Sequence, residues 1–278
     1  MTLLQSSTCT HPGLKRDLNE DRVWSQIYSD SEEEPLGLFI VCDGMGGHLG
    51  GDSASKLAVE TIKHEFQDLF SPKDPRATVL LPDLAFNEIT NEEEITRQSK
   101  IKKIESSIYT AVQRANRVIF EFAKEKPQEA YDAGTTITMA IVSGKWAVIA
   151  NIGDSRTYLL RDHKLQQITK DHSLVASLVE RGQIQPNEIF THPQRNLIFR
   201  SLGNKSNVEV DTFWQTLKSG DYLILCSDGL WEMVQDDKVI TKIILGAQSL
   251  DDACVQLINA ANNAGGDDNI GIVLVKIL

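Results

Sequence analysis

No apolar run in the chain approaches the roughly 20 residues that a membrane-crossing helix needs. The longest, such as Leu36 to Cys42 and Tyr222 to Cys226, are strand-sized, so no membrane partner is expected. Basic runs are missing as well: 28 Lys+Arg stand against 39 Asp+Glu, a net charge of −11. Such a chain offers no track for a nucleic-acid backbone. The opening residues, MTLLQSSTCTHPG, lack both a basic start and a sustained apolar stretch; without a secretory signal the expected compartment is the cytoplasm. Cysteine is sparse and scattered, at Cys9, Cys42, Cys226 and Cys254, which argues for reduced thiols and against a zinc site. With no repeat at periods of about 20 to 50 residues, no low-complexity segment and no evident linker, residues 1–278 are expected to form a single domain. No association motif stands out, so a monomer is expected.

What is present is a set of short β-branched runs and longer helical patterns. Strands are predicted at Leu36–Cys42, Thr136–Val142, Trp146–Ile152, Tyr222–Cys226 and Ile270–Ile277. Ala54, Leu57, Ala58, Ile62, Phe66 and Leu69 recur at helical spacing, as do Ile101, Ile104, Ile108, Val112, Ala115, Ile119 and Phe122. A third helix is predicted from about Leu250 to Ala264, stopped by Gly265-Gly266. These blocks fit a layered α+β sandwich better than a regular βαβ array. Two stretches read as irregular: an insertion at Ser71–Gln98, with Pro72, Pro75, Pro82 and the run Glu92-Glu93-Glu94, and a long loop at Leu178–Gly203.

The chemistry gathers where strands end. Phe39-Ile40-Val41-Cys42 runs into Asp43-Gly44, and Leu223-Ile224-Leu225-Cys226 into Ser227-Asp228-Gly229. Asp154 follows the strand-like Val148 to Ile152, Asp268 precedes the last strand, and Glu20-Asp21 precedes Arg22-Val23-Trp24. A single Asp-Gly at a strand end is ordinarily a turn. If several converge, two carboxylates about 4 Å apart repel by roughly 4 kcal/mol at an effective dielectric near 20, and a cation is needed between them. Only hard oxygen ligands are on offer, which selects Mg²⁺ or Mn²⁺. Glycine after Asp43 allows close approach, so the Gly44 carbonyl is a further candidate ligand. Two such ions suit hydrolysis of a phosphoester, and Arg16 offers a planar fork for phosphate oxygens.

Competing motifs fail on spacing. A thiolate phosphatase needs Arg six positions after its Cys, yet Lys15 stands there after Cys9 and Arg16 falls one position late. Gly46-Gly47-His48-Leu49-Gly50-Gly51 runs into Asp52 where a phosphate-cradling loop needs Lys, and Leu49 replaces the third glycine of a dinucleotide fingerprint.

In order along the chain, Thr10-His11-Pro12-Gly13-Leu14-Lys15-Arg16-Asp17-Leu18-Asn19-Glu20-Asp21, Val41-Cys42-Asp43-Gly44-Met45-Gly46-Gly47-His48, Ala133-Gly134-Thr135-Thr136, Asn151-Ile152-Gly153-Asp154-Ser155-Arg156, Asp171-His172-Ser173, His192-Pro193-Gln194-Arg195-Asn196, Ser227-Asp228-Gly229 and Asp268-Asn269 together resemble the metal-dependent Ser/Thr protein phosphatases of the protein phosphatase 2C family, bacterial type. The resemblance implies a four-layer α-β-β-α sandwich, two antiparallel sheets flanked by helices, with a binuclear metal site at one end. It implies that Asp43 bridges two ions, that Asp228 and Asp268 hold one, and that Asp21 or Glu20 with the Gly44 carbonyl serves the other. Asp154 matches a residue that, with the Asp228 position, holds a weaker third ion in bacterial relatives. Arg16 would grip the phosphate, and Leu178–Gly203 would be a flap beside the site. Met45 stands where eukaryotic relatives carry a histidine, leaving His48 as the candidate proton donor; a histidine in a glycine-rich loop can equally be only solvent-exposed. The expected substrates are phosphoserine and phosphothreonine in proteins. The rivals are a non-catalytic regulatory module and a small-molecule phosphomonoesterase on the same fold, and no metal acid is missing to favour the former.

Overall fold

A computed structural model of the chain describes residues 3–28, 35–46, 50–70, 91–130 and 132–278. In chain order its strands are β1 (Leu4–His11), β2 (Arg22–Tyr28), β3 (Leu36–Cys42), β4 (Gly44–Met45), β5 (Gly134–Thr135), β6 (Ile137–Ser143), β7 (Trp146–Ile152), β8 (Arg156–Arg161), β9 (Lys164–Gln167), β10 (Asp211–Thr216), β11 (Tyr222–Cys226) and β12 (Ile270–Ile277). The α-helices are α1 (Gly50–Phe66), α2 (Asn91–Glu125), α3 (Pro127–Ala130), α4 (Leu174–Glu180), α5 (Asp228–Trp231), α6 (Asp237–Gly246) and α7 (Leu250–Asn263).

The strands form two five-stranded antiparallel sheets, ordered β1-β12-β11-β8-β9 and β10-β7-β6-β3-β2, with β4 and β5 as a short extra pair. Side chains alternate between the faces of a strand, and here both faces are covered. Along β3, Phe39 and Val41 point inward with Ala140, Ile149, Leu223, Leu225, Val273 and Val275 to fill the space between the sheets. Leu38 and Ile40 point outward, onto Ala54, Ala58 and Ile62 of α1 and Ile108, Val112 and Ile119 of α2. The other sheet repeats the arrangement, with Ile224, Cys226, Ile272 and Leu274 packed on Ile240, Ile244, Ala253, Leu257 and Ala261 of α6 and α7. Burial on both faces is why these strands read as continuous apolar runs rather than as polar–apolar alternation. The result is the four-layer α-β-β-α sandwich expected from the sequence.

Several boundaries also match. β3, β7, β11 and β12 occupy the predicted spans, and α7 starts on Ser249, whose side chain accepts from the Asp252 N–H, and ends before Gly265 and Gly266 at positive φ. The Ser71–Gln98 insertion needs correction. Residues 71–90 lie outside the described residues, but residues 91–98 are the start of α2, ten residues earlier than the apolar repeat that begins at Ile101. A charged first turn carries no apolar stripe to betray it, although acidic residues near a helix N-terminus are electrostatically favourable. Within Leu178–Gly203 the chain finishes α4, makes a short 3-10 turn at Pro186–Glu188 and is otherwise irregular, as expected.

Candidate active site

One end of the sandwich collects the strand-end acids. Because Arg22 of β2 pairs with Cys42 of β3, Asp21 and Asp43 sit side by side on one sheet. Cys226 of β11 pairs with Ile272 of β12, which brings Asp228 and Asp268 to the matching end of the other sheet. The two ends are joined directly: the Ser227 hydroxyl donates to Asp21 Oδ2 at 2.6 Å and itself accepts the Gly271 N–H at 2.8 Å.

Neutral polar groups hold this loop cluster in place. Asn269 accepts the Glu20 N–H through Oδ1 at 2.7 Å, while its Nδ2 donates to the carbonyls of Pro12 and Leu18 at 2.9 Å each. It thereby fixes the segment that carries Arg16, Glu20 and Asp21. Asp43 is gripped through its backbone: its N–H donates to Thr136 Oγ1 at 3.0 Å, and its carbonyl accepts from Thr135 Oγ1 at 2.8 Å and the Thr136 N–H at 2.9 Å. Its carboxylate is left free to face the other acids. At Gly44 the close approach is literal, since a Cβ would stand 2.3 Å from the Gly51 carbonyl oxygen and 2.8 Å from that of Glu20.

Electrostatically the acids act as one group. Burial, then the charges of Asp228, Asp21, Asp154 and Asp268, push Asp43 well above the usual carboxylate range. Asp228 is pushed well up by burial, then by Asp154, Asp268, Glu232 and Asp21. Asp21 and Asp154 are each raised to about 7, mainly by burial. Glu20 is also raised, burial again being the main cause. Burial first and like charge second disfavour the ionised form of each acid here.

Among the described residues, three buried carboxylate oxygens have no hydrogen-bond partner: Glu20 Oε1, Asp21 Oδ1 and Asp228 Oδ1. Buried acceptors left unpaired cost about 1–3 kcal/mol each, more when charged, so three in one cluster point to a cation as the missing partner. The donor set is all oxygen and fits a hard divalent ion. Among the described residues no three His, Cys, Asp or Glu side chains are placed to hold a metal ion as they stand. Arg16 lies at the half-exposed mouth, where its Nη2 donates to Asp268 Oδ2 at 2.6 Å. Its fork is thus engaged with an acid of the cluster. His48 lies outside the described residues.

The chain's residues 15–257 match the sequence profile described as "Protein phosphatase 2C". The chain belongs to the protein phosphatase 2C family. It is a serine/threonine protein phosphatase. It is 36% identical over 267 residues to the "Serine/threonine phosphatase stp" of Listeria monocytogenes, covering 96% of this chain and 93% of that protein. Among solved structures, the S. agalactiae serine/threonine phosphatase superposes with a TM-score of 0.79 at 30% identity, covering 99% of each chain. The catalytic domain of the phosphatase PstP, solved in complex with two manganese ions, superposes with a TM-score of 0.76 at 30% identity over 100% of both chains.

Sequence reasoning about this phosphatase finds the acids but not what braces them. Ser227, Asn269, Thr135 and Thr136 enter the sequence analysis only as members of a pattern, with no role attached. Glu232 is absent from it altogether, yet its charge bears on both Asp228 and Asp154, and Arg195 of the 178–203 loop lies 3.6 Å from its carboxylate. That loop is also pinned at its base, where the Leu174 N–H donates to the Leu197 carbonyl and the Phe199 N–H to the His172 carbonyl. A helical position one turn beyond Asp228 is the only signal that could have pointed to Glu232.

Proposed function

We propose that the acidic cluster of this phosphatase holds two Mg²⁺ or Mn²⁺ ions, with a weaker third, and that the enzyme hydrolyses phosphoserine and phosphothreonine monoesters using water as the nucleophile. The observation that carries the reading is the trio of unpartnered oxygens on Glu20, Asp21 and Asp228 inside one group of mutually repelling acids. The manganese pair in the PstP catalytic domain supports it. Asp43 would bridge both ions, Asp228 and Asp268 would hold one, and Asp21 or Glu20 with the Gly44 carbonyl would hold the other. Asp154, whose charge weighs most on Asp228 after burial, would share the third ion with it. When bound, the ions supply Lewis-acid chemistry: a nucleophile from water at neutral pH and charge neutralisation on the phosphoryl group.

The chain's own groups do the rest. Arg16 orients the substrate phosphate with its two-pronged donor face. In the structure its Nη2 donates to Asp268 Oδ2, so the same arginine exchanges a carboxylate for a phosphate when substrate arrives. His48 is assigned the proton that the departing serine or threonine oxygen takes up. The 178–203 loop, tied by Arg195 to Glu232, forms a flap that contacts the substrate chain. We assign residues 1–278 to one catalytic domain that acts as a monomer in the cytoplasm, and the 71–98 segment to an insertion whose last residues extend α2.

The test is direct. Asp228→Asn should fold, by circular dichroism, and lose nearly all Mn²⁺-dependent turnover of a phosphothreonine peptide and of an aryl phosphate. Equal activity of chelator-treated and Mn²⁺-loaded enzyme would refute the metal assignment. Faster turnover of free phosphometabolites than of phosphopeptides would move the substrate class away from proteins.

A further inference from the structure

A groove of about 710 Å³ lies between the β8–β9 hairpin and α6. Its rim carries His163, Lys164, Lys238 and Lys242, with Asp237 as the single acid and Leu165 among its apolar lining. Three lysines facing one aspartate are a local reversal in a chain whose net charge is −11. Among the described residues no carboxylate stands within ion-pair distance of the three ammonium groups. One wall is an open sheet edge: β9 pairs with β8 and is the last strand of its sheet. Unused backbone groups on such an edge accept an added extended segment.

We propose that this groove docks an acidic segment of the phosphoprotein substrate, at a distance from the phosphorylated side chain. The proposal rests on the protein-phosphatase activity and extends it to substrate choice. The occupant is argued from charge and shape. Exposed lysines are hydrated point charges without the bidentate geometry that holds a single small anion tightly, whereas several carboxylates on one strand meet several lysines at once. A long polyanion such as nucleic acid would meet the net negative field of the rest of the molecule; a short acidic segment need only fill the groove.

The spacing follows from β8. This strand starts at Arg156, two residues after Asp154, and ends at Arg161 beside the groove. Five steps at about 3.3 Å each put the hairpin roughly 17 Å from the acidic end of the sheet. An extended substrate therefore bridges the two places in about five residue steps from the phosphorylated residue to its acidic stretch.

The experiment compares phosphothreonine peptides that carry four glutamates starting about five residues before or about five residues after the phosphothreonine with a peptide carrying glutamines at both places. The native enzyme should show a KM about tenfold lower for a glutamate peptide, with kcat unchanged, as expected for several exposed charge pairs acting together. The triple variant Lys164→Glu/Lys238→Glu/Lys242→Glu should lose that preference while its turnover of an aryl phosphate and of the glutamine peptide stays native. Those two substrates report the phosphatase reaction separately, so loss of docking and loss of catalysis are distinguishable. Equal KM for all peptides in the native enzyme overturns the proposal, as does a preference that survives in the triple variant. A native dimer in sedimentation that the triple variant abolishes would overturn it too, by giving the groove to a second copy of the chain.

Discussion

Two buried charged clusters lie close together at one end of this sandwich, and they are built on opposite principles. Around Arg156 each guanidinium nitrogen has a partner: Nε donates to Asp171 Oδ1 and Oδ2 at 3.0 and 3.1 Å, Nη2 to Oδ2 at 2.6 Å and Nη1 to the Tyr158 hydroxyl at 3.0 Å. The guanidinium also lies 3.5 Å from the centre of the Trp231 ring, and Gln167 donates to Asp171 at 2.9 Å. At the neighbouring acidic cluster, by contrast, like charges face one another and three oxygens lack partners. The first arrangement is complete and serves the fold. The second is incomplete and stores the repulsion that a cation relieves. The two touch through Trp231, whose indole N–H donates to the Asp154 carbonyl at 3.1 Å, so the complete cluster positions a member of the incomplete one.

The contrast breaks most sharply when one charge is removed from each. Asp228→Asn should lower turnover on the order of 1000-fold, an effect of roughly 4 kcal/mol on the barrier, yet leave the metal-free protein at least as stable as the native one because a repelling charge is gone; melting and a peptide phosphatase assay read the two outcomes. Arg156→Ala should do the reverse of the stability result. It strands Asp171 as a buried unpaired charge and should cost about 3 kcal/mol or more, seen as a lower urea midpoint.

Acidity separates the clusters next. Asp21 and Asp154 are raised to about 7 in the folded chain from 3.8, so between those values the folded state holds protons that the unfolded state has released. Stability from these groups is therefore full below about pH 4 and is lost as pH rises toward 7. The metal-free protein should melt about 5 °C lower at pH 7.5 than at pH 5, and saturating Mn²⁺ should erase the difference. A flat profile in chelator would contradict the repulsion described for the cluster. The smallest expected effect belongs to the neutral braces: Ser227→Ala leaves the buried Gly271 N–H without its acceptor and should cost about 1–2 kcal/mol, with a loss of activity of about tenfold through the misplaced Asp21.

Much of this was legible in the residues before any coordinates, and the reasons differ by element. β3, β7, β11 and β12 are continuous apolar runs because helices and the facing sheet bury both their faces. β1 carries no strand signal of its own, since Gln5-Ser6-Ser7-Thr8 alternates weakly and its membership in the sheet is decided by pairing with β12. α6 is equally illegible: Val239-Ile240 and Ile243-Ile244-Leu245 form a short apolar stretch that suits a strand as well as a helix. At the site the acids stand out since aspartate is poorly suited to the end of an apolar strand unless a turn or a ligand wants it. Their braces do not, because Ser227, Asn269 and Thr136 act through single hydrogen bonds to residues far along the chain, over 206 positions for Ser227 to Asp21. No local pattern encodes a contact of that range.

The bond between Ser227 and Asp21 has a further consequence. It is one of several rivets between the two sheets, beside Thr138 with Thr157 at 2.7 Å and Ser6 with Ser25 at 3.3 Å, and it is the one set among the acids. Sliding one sheet over the other by even a single residue would pull the rivet and scatter the acids together, so the quality of the filling between the sheets, from Phe39 to Val275, sets how faithfully the two halves of the reaction centre meet.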